Sequence, residues 1–236
     1  MSGHEPTVPL EEAVRMREWH DDHYATLRGV GEEGVVVDYL GLNLVIPRHV
    51  QIIEDTSDLL GNVVRDEVRA TDRVLDMGTG SGVNAILAAQ VASEVVAVDV
   101  NPHAVEAARA NAERNQVADL VDVHLSDVFT DVEGTFDLII FDPPFRWFRP
   151  RDWAEASITD ENYRALTTFF EQVRSHLAED GRVLVFFGTT ADIGYLESLM
   201  SGQGFEPVVV ARRSKVKDGH GVEYLVWRFS VRRPRP

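Results

Sequence analysis

From Arg73 onward the chain alternates short apolar runs with longer stretches whose apolar positions recur at helical spacing. The runs at 73–77, 94–99, 121–125, 136–141 and 182–187 are rich in valine, isoleucine or phenylalanine. Strands of a parallel sheet are covered on both faces, so they read as unbroken apolar runs of about this length. Asn101-Pro102 supplies a helix start between two of them, Asn as N-cap and Pro at the first position, where its missing N–H costs nothing. Val105, Ala108 and Ala112 then share one face, and a later helix is expected over 160–177, stopped before Asp180-Gly181. The alternation predicts an α/β fold with a doubly wound sheet and right-handed crossovers.

Both ends depart from this rhythm. The runs 207–211 and 224–230 are strand-like, yet only a charged, glycine-containing loop joins them. That is too little chain for a helical crossover, so these two strands should pair antiparallel. Before residue 61, a weakly amphipathic charged helix is expected over 11–28 and a strand or hairpin over 35–46, broken at Gly41. Residues 1–60 therefore read as an extension capping the sheet, and 61–236 as the principal domain. No internal repeat or low-complexity segment interrupts either part.

Composition removes several alternatives. A 44% hydrophobic content supplies a core, and 26% charged residues suit a water-facing surface. The absence of cysteine excludes disulfides and thiolate zinc sites. No apolar run reaches membrane-spanning length and MSGHEPTVPLEE lacks a signal pattern, so a cytoplasmic protein without membrane contacts is expected. With 23 basic against 39 acidic residues the net charge is −16, which disfavours a polyanionic partner. Two basic patches run against this balance: Arg212, Arg213, Lys215 and Lys217, read as a charged hairpin tip, and the tail Arg232-Arg233-Pro234-Arg235. His20-Asp21-Asp22-His23, on a charged helix, reads as a solvated face, and no metal is expected.

VLDMGTGSG places Asp76 at the end of the first strand of the domain and glycines at 78, 80 and 82. Glycines at a strand-to-helix turn let the backbone approach a ligand closely. A dinucleotide fingerprint would need its third glycine at position 83, which is valine. The next strand ends at Asp99, whose carboxylate could accept from both hydroxyls of a ribose. An acid two residues before G-x-G-x-G resembles the first motif of class I S-adenosylmethionine-dependent methyltransferases. That resemblance implies S-adenosyl-L-methionine as cofactor, held by Asp76, Gly78, Gly80, Gly82, Asp99 and Val100, with Asp127 and Val128 at the adenine.

FDPPFRW (141–147) closes the fourth apolar run of the domain. Open α/β sheets bind ligands at such carboxyl ends. An acid or amide, two prolines and an aromatic resemble the fourth motif of the amino-methyltransferase branch, which includes the glutamine-modifying enzymes of the small-domain superfamily. The resemblance spans about residues 73–229 and implies a Rossmann-like seven-stranded sheet with the last strand antiparallel. It assigns catalysis to Asp142, Pro143 and Phe145. The Asp142 carboxylate and Pro143 carbonyl would accept the hydrogens of a planar amine, rehybridise its nitrogen and stabilise developing positive charge, while Phe145 stacks on it. Pro144, Arg146 and Trp147 would contact the substrate. Arg48, in LVIPRHV, resembles the IPR segment of the glutamine-modifying branch and would meet an acidic group. DPPFR also resembles a guanine-modifying ribosomal RNA branch. Trp147, Phe148 and Trp153 either line a flat substrate's pocket or pack the loop.

The expected function is thus methyl transfer to an amino or amide nitrogen of a small molecule or protein, with no metal or covalent nucleophile. A base methyltransferase acting on RNA or DNA is the alternative, and a non-catalytic cofactor-binding regulator is the rival from another class. Oligomeric state is left open.

Overall fold

Leu40 and Gly41, both at positive φ (48° and 86°), form the tight turn that folds β1 (Val35–Tyr39) onto β2 (Leu42–Ile46). In the computed structural model, which describes residues 4–230, this hairpin stands apart from a seven-stranded sheet. The sheet strands are β3 (Arg73–Met77), β4 (Glu94–Asp99), β5 (Val121–Leu125), β6 (Phe136–Phe141), β7 (Leu177–Gly188), β8 (Val208–Lys217) and β9 (His220–Ser230). Their order across the sheet is β5-β4-β3-β6-β7-β9-β8. All pairings from β5 to β7 are parallel, and β9 is antiparallel to both of its neighbours. The doubly wound sheet with a reversed last strand is therefore present. The tail patch Arg232-Arg233-Pro234-Arg235 lies outside the described residues.

Alternation within the strands divides the core. Val74, Val95, Leu138 and Leu184 face α2 (Asp58–Glu67), α3 (Val83–Ala89) and α4 (Pro102–Arg114). Leu75, Val96, Ile139 and Val185 face α6 (Arg164–Gln172), α7 (Ile193–Gly202) and Met16 of α1 (Leu10–Arg28). Asn101 caps α4 by accepting from His103 N at 3.0 Å, with Pro102 at the first position, as the sequence predicted. None of the described helices is long and apolar enough to cross a membrane.

Three elements differ from expectation. The helix expected over 160–177 begins only at Arg164, because Asn162 and Tyr163 take positive φ (56° and 51°). Strand β7 starts early: Leu177 pairs with Phe136, the chain bulges, and Arg182 resumes pairing at Leu138. The charged loop before β9 is itself strand, with only Asp218-Gly219 between β8 and β9. Three of the four basic side chains it carries are paired. Arg213 meets Asp58, Lys215 meets Asp55, and Arg212 lies 3.3 Å from Glu223.

One buried charge locks the base of the sheet. Arg182, 6% exposed, reaches Asp72 at 2.7 Å, Glu67 at 3.3 Å and the carbonyl of Asp137 at 3.0 Å. It ties the turn before β3 to β6 and β7.

Candidate active site

The turn from β3 into α3 is built by Asp76 from below. Its Oδ2 accepts from Thr79 Oγ1 at 2.6 Å and from Ala85 N at 3.1 Å, so the acid braces the glycine turn. Gly80 N donates to Asp99 Oδ2 at 2.9 Å, and Asn101 N donates to Asp99 Oδ1 at 2.8 Å. The two strand ends are thus stitched through one carboxylate. At Gly80 (φ 55°) an added Cβ would meet nothing within 4 Å, leaving open space above the backbone. Gly82 (φ 85°) serves packing, because a Cβ there would come within 3.0 Å of Ala108 in α4.

The loop after β6 is pinned by residues that no local pattern links to it. Tyr163 OH donates to the Phe145 carbonyl at 2.8 Å and accepts from Asp192 N at 3.1 Å. Asp160 N donates to the Arg146 carbonyl at 2.8 Å, and Asn162 N to the Trp147 carbonyl at 2.9 Å. The Tyr163 hydroxyl reaches the loop from the bend at Asn162-Tyr163 that delays α6. Phe145 packs its ring 5.1 Å from Phe187 and 5.5 Å from Phe186.

A cavity of about 690 Å³ opens between these two turns, within the size range of small-molecule and cofactor sites. Gly78, Gly80, Asp99 and Val100 line it, as do Asp127 and Val128, and Asp142 through Arg146 line the opposite wall. Asp76, Gly82, Trp147 and Arg48 are not brought to it. Asp76 and Gly82 support the turn from behind. Trp147 is packed against His4, Phe148 and Tyr163, and Arg48 turns outward to Glu32 at 2.7 Å. Asp127 already holds Arg164 at 2.9 Å. Of the aromatic trio, Trp153 lines the cavity and Phe148 packs beside His20.

Several lining residues carry no motif. Trp19, His20 and His23 arrive from α1, Tyr39 from β1, and Lys217 and Tyr224 from the final hairpin. Trp19 Nε1 donates to Asp218 Oδ2 at 2.6 Å, joining α1 to the hairpin tip. The solvated reading of His20-Asp21-Asp22-His23 fails at His20, which is 1% exposed and bonded to Glu155 at 2.8 Å. Ligand atoms of His20, Asp21 and Glu155 lie within 4.8 Å of one another. Arg151 already bridges the two acids, at 3.2 Å from Asp21 and 2.6 Å from Glu155, so a guanidinium supplies the cationic partner there.

Asp142 keeps accessible surface, but that surface faces the cavity, and its carboxylate accepts no hydrogen bond from described residues. Protein crowding around it, then Asp76 and Glu54, push its carboxyl up to about 7. Burial likewise pushes Asp76 up to about 7, against the bonds from Thr79 and Ala85. In both cases the fold holds a proton that the unfolded chain releases near pH ~4. Stability contributed by these two groups is therefore greatest at acid pH and declines as pH rises from about 4 to about 7. Urea midpoints at pH 5 and pH 7.5 should show that decline for the unliganded protein, and Asp142→Asn should flatten it. An equal slope in the variant would assign the effect elsewhere.

The family model described as methyltransferase small domain matches residues 50–212. The ribosomal RNA small subunit methyltransferase C of Haemophilus influenzae is 30% identical over 135 residues, 56% of this chain and 37% of that protein. A putative protein N5-glutamine methyltransferase of Methanocaldococcus jannaschii is 37% identical over 113 residues, 47% of this chain and 55% of that protein. The chain thus spans about half or less of the length of these curated relatives. Among solved structures, the M. jannaschii tRNA m1G37 methyltransferase superposes with a TM-score of 0.63 at 18% identity, covering 87% of this chain and 59% of that one, a likeness of fold.

Proposed function

The chain belongs to the methyltransferase small domain family, and from that premise we propose that it transfers a methyl group from S-adenosyl-L-methionine to an amino or amide nitrogen of a small molecule or protein. One observation carries the reading. An uncommitted carboxylate, Asp142, faces the same cavity as the open glycine turn and Asp99.

The open space above Gly80 and the Asp99 carboxylate suit the cofactor, with Asp99 toward the ribose and Val100, Asp127 and Val128 toward the adenine. Bound there, the sulfonium supplies an intrinsically activated methyl group. Asp142 and the Pro143 carbonyl accept the hydrogens of the acceptor nitrogen and draw its lone pair out of conjugation. A carboxyl whose pKa lies near 7 can also take the proton that the methylated nitrogen must lose. Phe145 flanks the acceptor plane, and the Tyr163 bond to its carbonyl keeps the loop in place without substrate. Residues 1–60 act as a cap, contributing Trp19, His20 and His23 to the cavity wall.

The relatives' names divide between protein and RNA acceptors. The net charge of −16 and the internal pairing of the hairpin's Arg213 and Lys215 with Asp58 and Asp55 favour a small molecule or protein here. Calorimetric titration with S-adenosylmethionine and with NAD, followed by mass-spectrometric search for methyl gain in small-molecule, protein and RNA fractions, tests the reading. Binding of NAD in preference to S-adenosylmethionine would sink it. Asp99→Ala should weaken S-adenosylmethionine binding about tenfold or more, since each bond to a charged acceptor contributes about 1.5–3 kcal/mol. Unchanged affinity would remove Asp99 from the cofactor site.

A further inference from the structure

Arg146 follows directly on Phe145, and its side chain lines the cavity while the residue is only 7% exposed. Its Nε and Nη1 are buried and meet no hydrogen-bond partner. A buried guanidinium ordinarily has a carboxylate or a set of carbonyls around it, because an unpaired buried charge is strongly disfavoured. Here the groups that act on it are Tyr163, Tyr224 and Glu54, and burial pulls its pKa down to about 10. Of these only Glu54 is an acid, its side chain 44% exposed and directed to His23 at 3.4 Å. A second cation, Lys217, lines the same wall and feels the repulsion of Arg146 after that of burial. The neighbouring acid Asp160 is spoken for, since it accepts from Ala165 N at 3.0 Å and Leu166 N at 2.9 Å. Lys217 feels Glu54, Asp218 and Asp22, so the cation of this wall whose buried donors meet no acid is Arg146.

The missing partner has a definite chemistry. A guanidinium presents parallel N–H donors that match two coplanar oxygens, as on a carboxylate or phosphate. We propose that the methyl acceptor is a small planar amine or amide bearing a carboxylate or phosphate group, and that Arg146, seconded by Lys217, binds that anion while the Asp142–Phe145 loop holds the nitrogen. Burial of Arg146 sets the size class. A polymer backbone running outside the cavity needs exposed cations, whereas Arg146 is reachable only by a group that enters. The proposal rests on the methyltransferase reading above and deepens it.

Calorimetry on the full chain decides between outcomes. Para-aminobenzoate is compared with its neutral amide, and para-aminophenyl phosphate with para-aminophenol, each after S-adenosylmethionine binding has been measured on the same sample. At least one anionic probe should bind about tenfold or more tightly than its neutral partner, as bonds to a charged group require. Which pair shows the preference separates carboxylate from phosphate. Arg146→Met should erase the preference while leaving S-adenosylmethionine affinity unchanged, and Arg146→Lys should retain part of it. Because the methionine removes a buried unpaired cation, its melting temperature should equal or exceed that of the unliganded parent. A lowered melting temperature, no preference in the parent chain, or the same preference in Arg146→Met would overturn the proposal. So would tight, steeply salt-dependent binding of a ribosomal RNA hairpin that Arg146→Met leaves unaltered. Failure to bind S-adenosylmethionine at all would instead sink the methyltransferase reading.

Discussion

Asp142→Ala should leave S-adenosylmethionine affinity within about twofold while cutting turnover by about a hundredfold or more, the loss usual when one preorganised electrostatic group is removed. The separation follows from what Asp142 does not hold. Its carboxylate accepts no hydrogen bond from described residues, whereas the loop around it is fastened through the carbonyls of Phe145, Arg146 and Trp147. Removing the side chain therefore costs the fold no bond and leaves Pro143 and Phe145 in place. Asp142→Asn tests the charge apart from the shape. Parent turnover should rise with pH through about 7, as the carboxyl ionises, and this limb should be missing in the asparagine variant. Equal losses of cofactor binding and turnover in Asp142→Ala would make Asp142 a brace of the turn.

Arg182→Ala should destabilise the chain by about 3–5 kcal/mol, the cost of stranding a buried acid by deleting its partner. Asp72 is 2% exposed and would keep only the backbone donor Arg69 N at 2.8 Å. Glu67 is less affected, since Arg228 still reaches it at 2.7 Å. For a chain of this size the loss corresponds to a fall in Tm of about 10 °C. Thermal unfolding monitored by circular dichroism checks it. A shift under about 2 °C would mean that water replaces the guanidinium without penalty, contrary to the burial of both groups.

Strands β3, β4 and β6 lie where the sequence put them, because a strand covered on both faces needs only a mostly apolar run; β5 lies there too, although as the sheet edge it alternates buried Val121 and Val123 with exposed Asp122. The charged half of β8 reads as loop in the sequence for the opposite reason. An edge strand tolerates alternating charge, and its Arg and Lys side chains discourage pairing with another chain. Helix α6 starts late because Tyr163 is committed elsewhere: its ring is fully buried and its hydroxyl holds the Phe145 carbonyl. The site divides in the same way. Gly78, Gly80, Asp99 and the Asp142 loop could be read because close backbone approach and strand endings leave a local pattern. Tyr39, His23, Lys217 and the isolation of Arg146 arise from contacts between segments far apart in sequence, which no local spacing records. The burial of His20 escaped the sequence for the same reason, since its partner Glu155 lies far along the chain.

The insertion of β9 between β7 and β8 has a consequence for how the protein is made. As the chain leaves the ribosome, β8 emerges before the strand that must lie between it and the rest of the sheet. Until residues 220–230 follow, β7 presents an open edge and the hairpin carrying Lys217 and Tyr224 has nowhere to dock. The glycine turn can be assembled early, from β3 and β4 alone, but the cationic wall of the cavity is completed last. A nascent chain would thus pass through an interval with a formed cofactor turn, an unfinished acceptor pocket and an unpaired strand edge, the interval in which misassembly with a neighbouring chain threatens most.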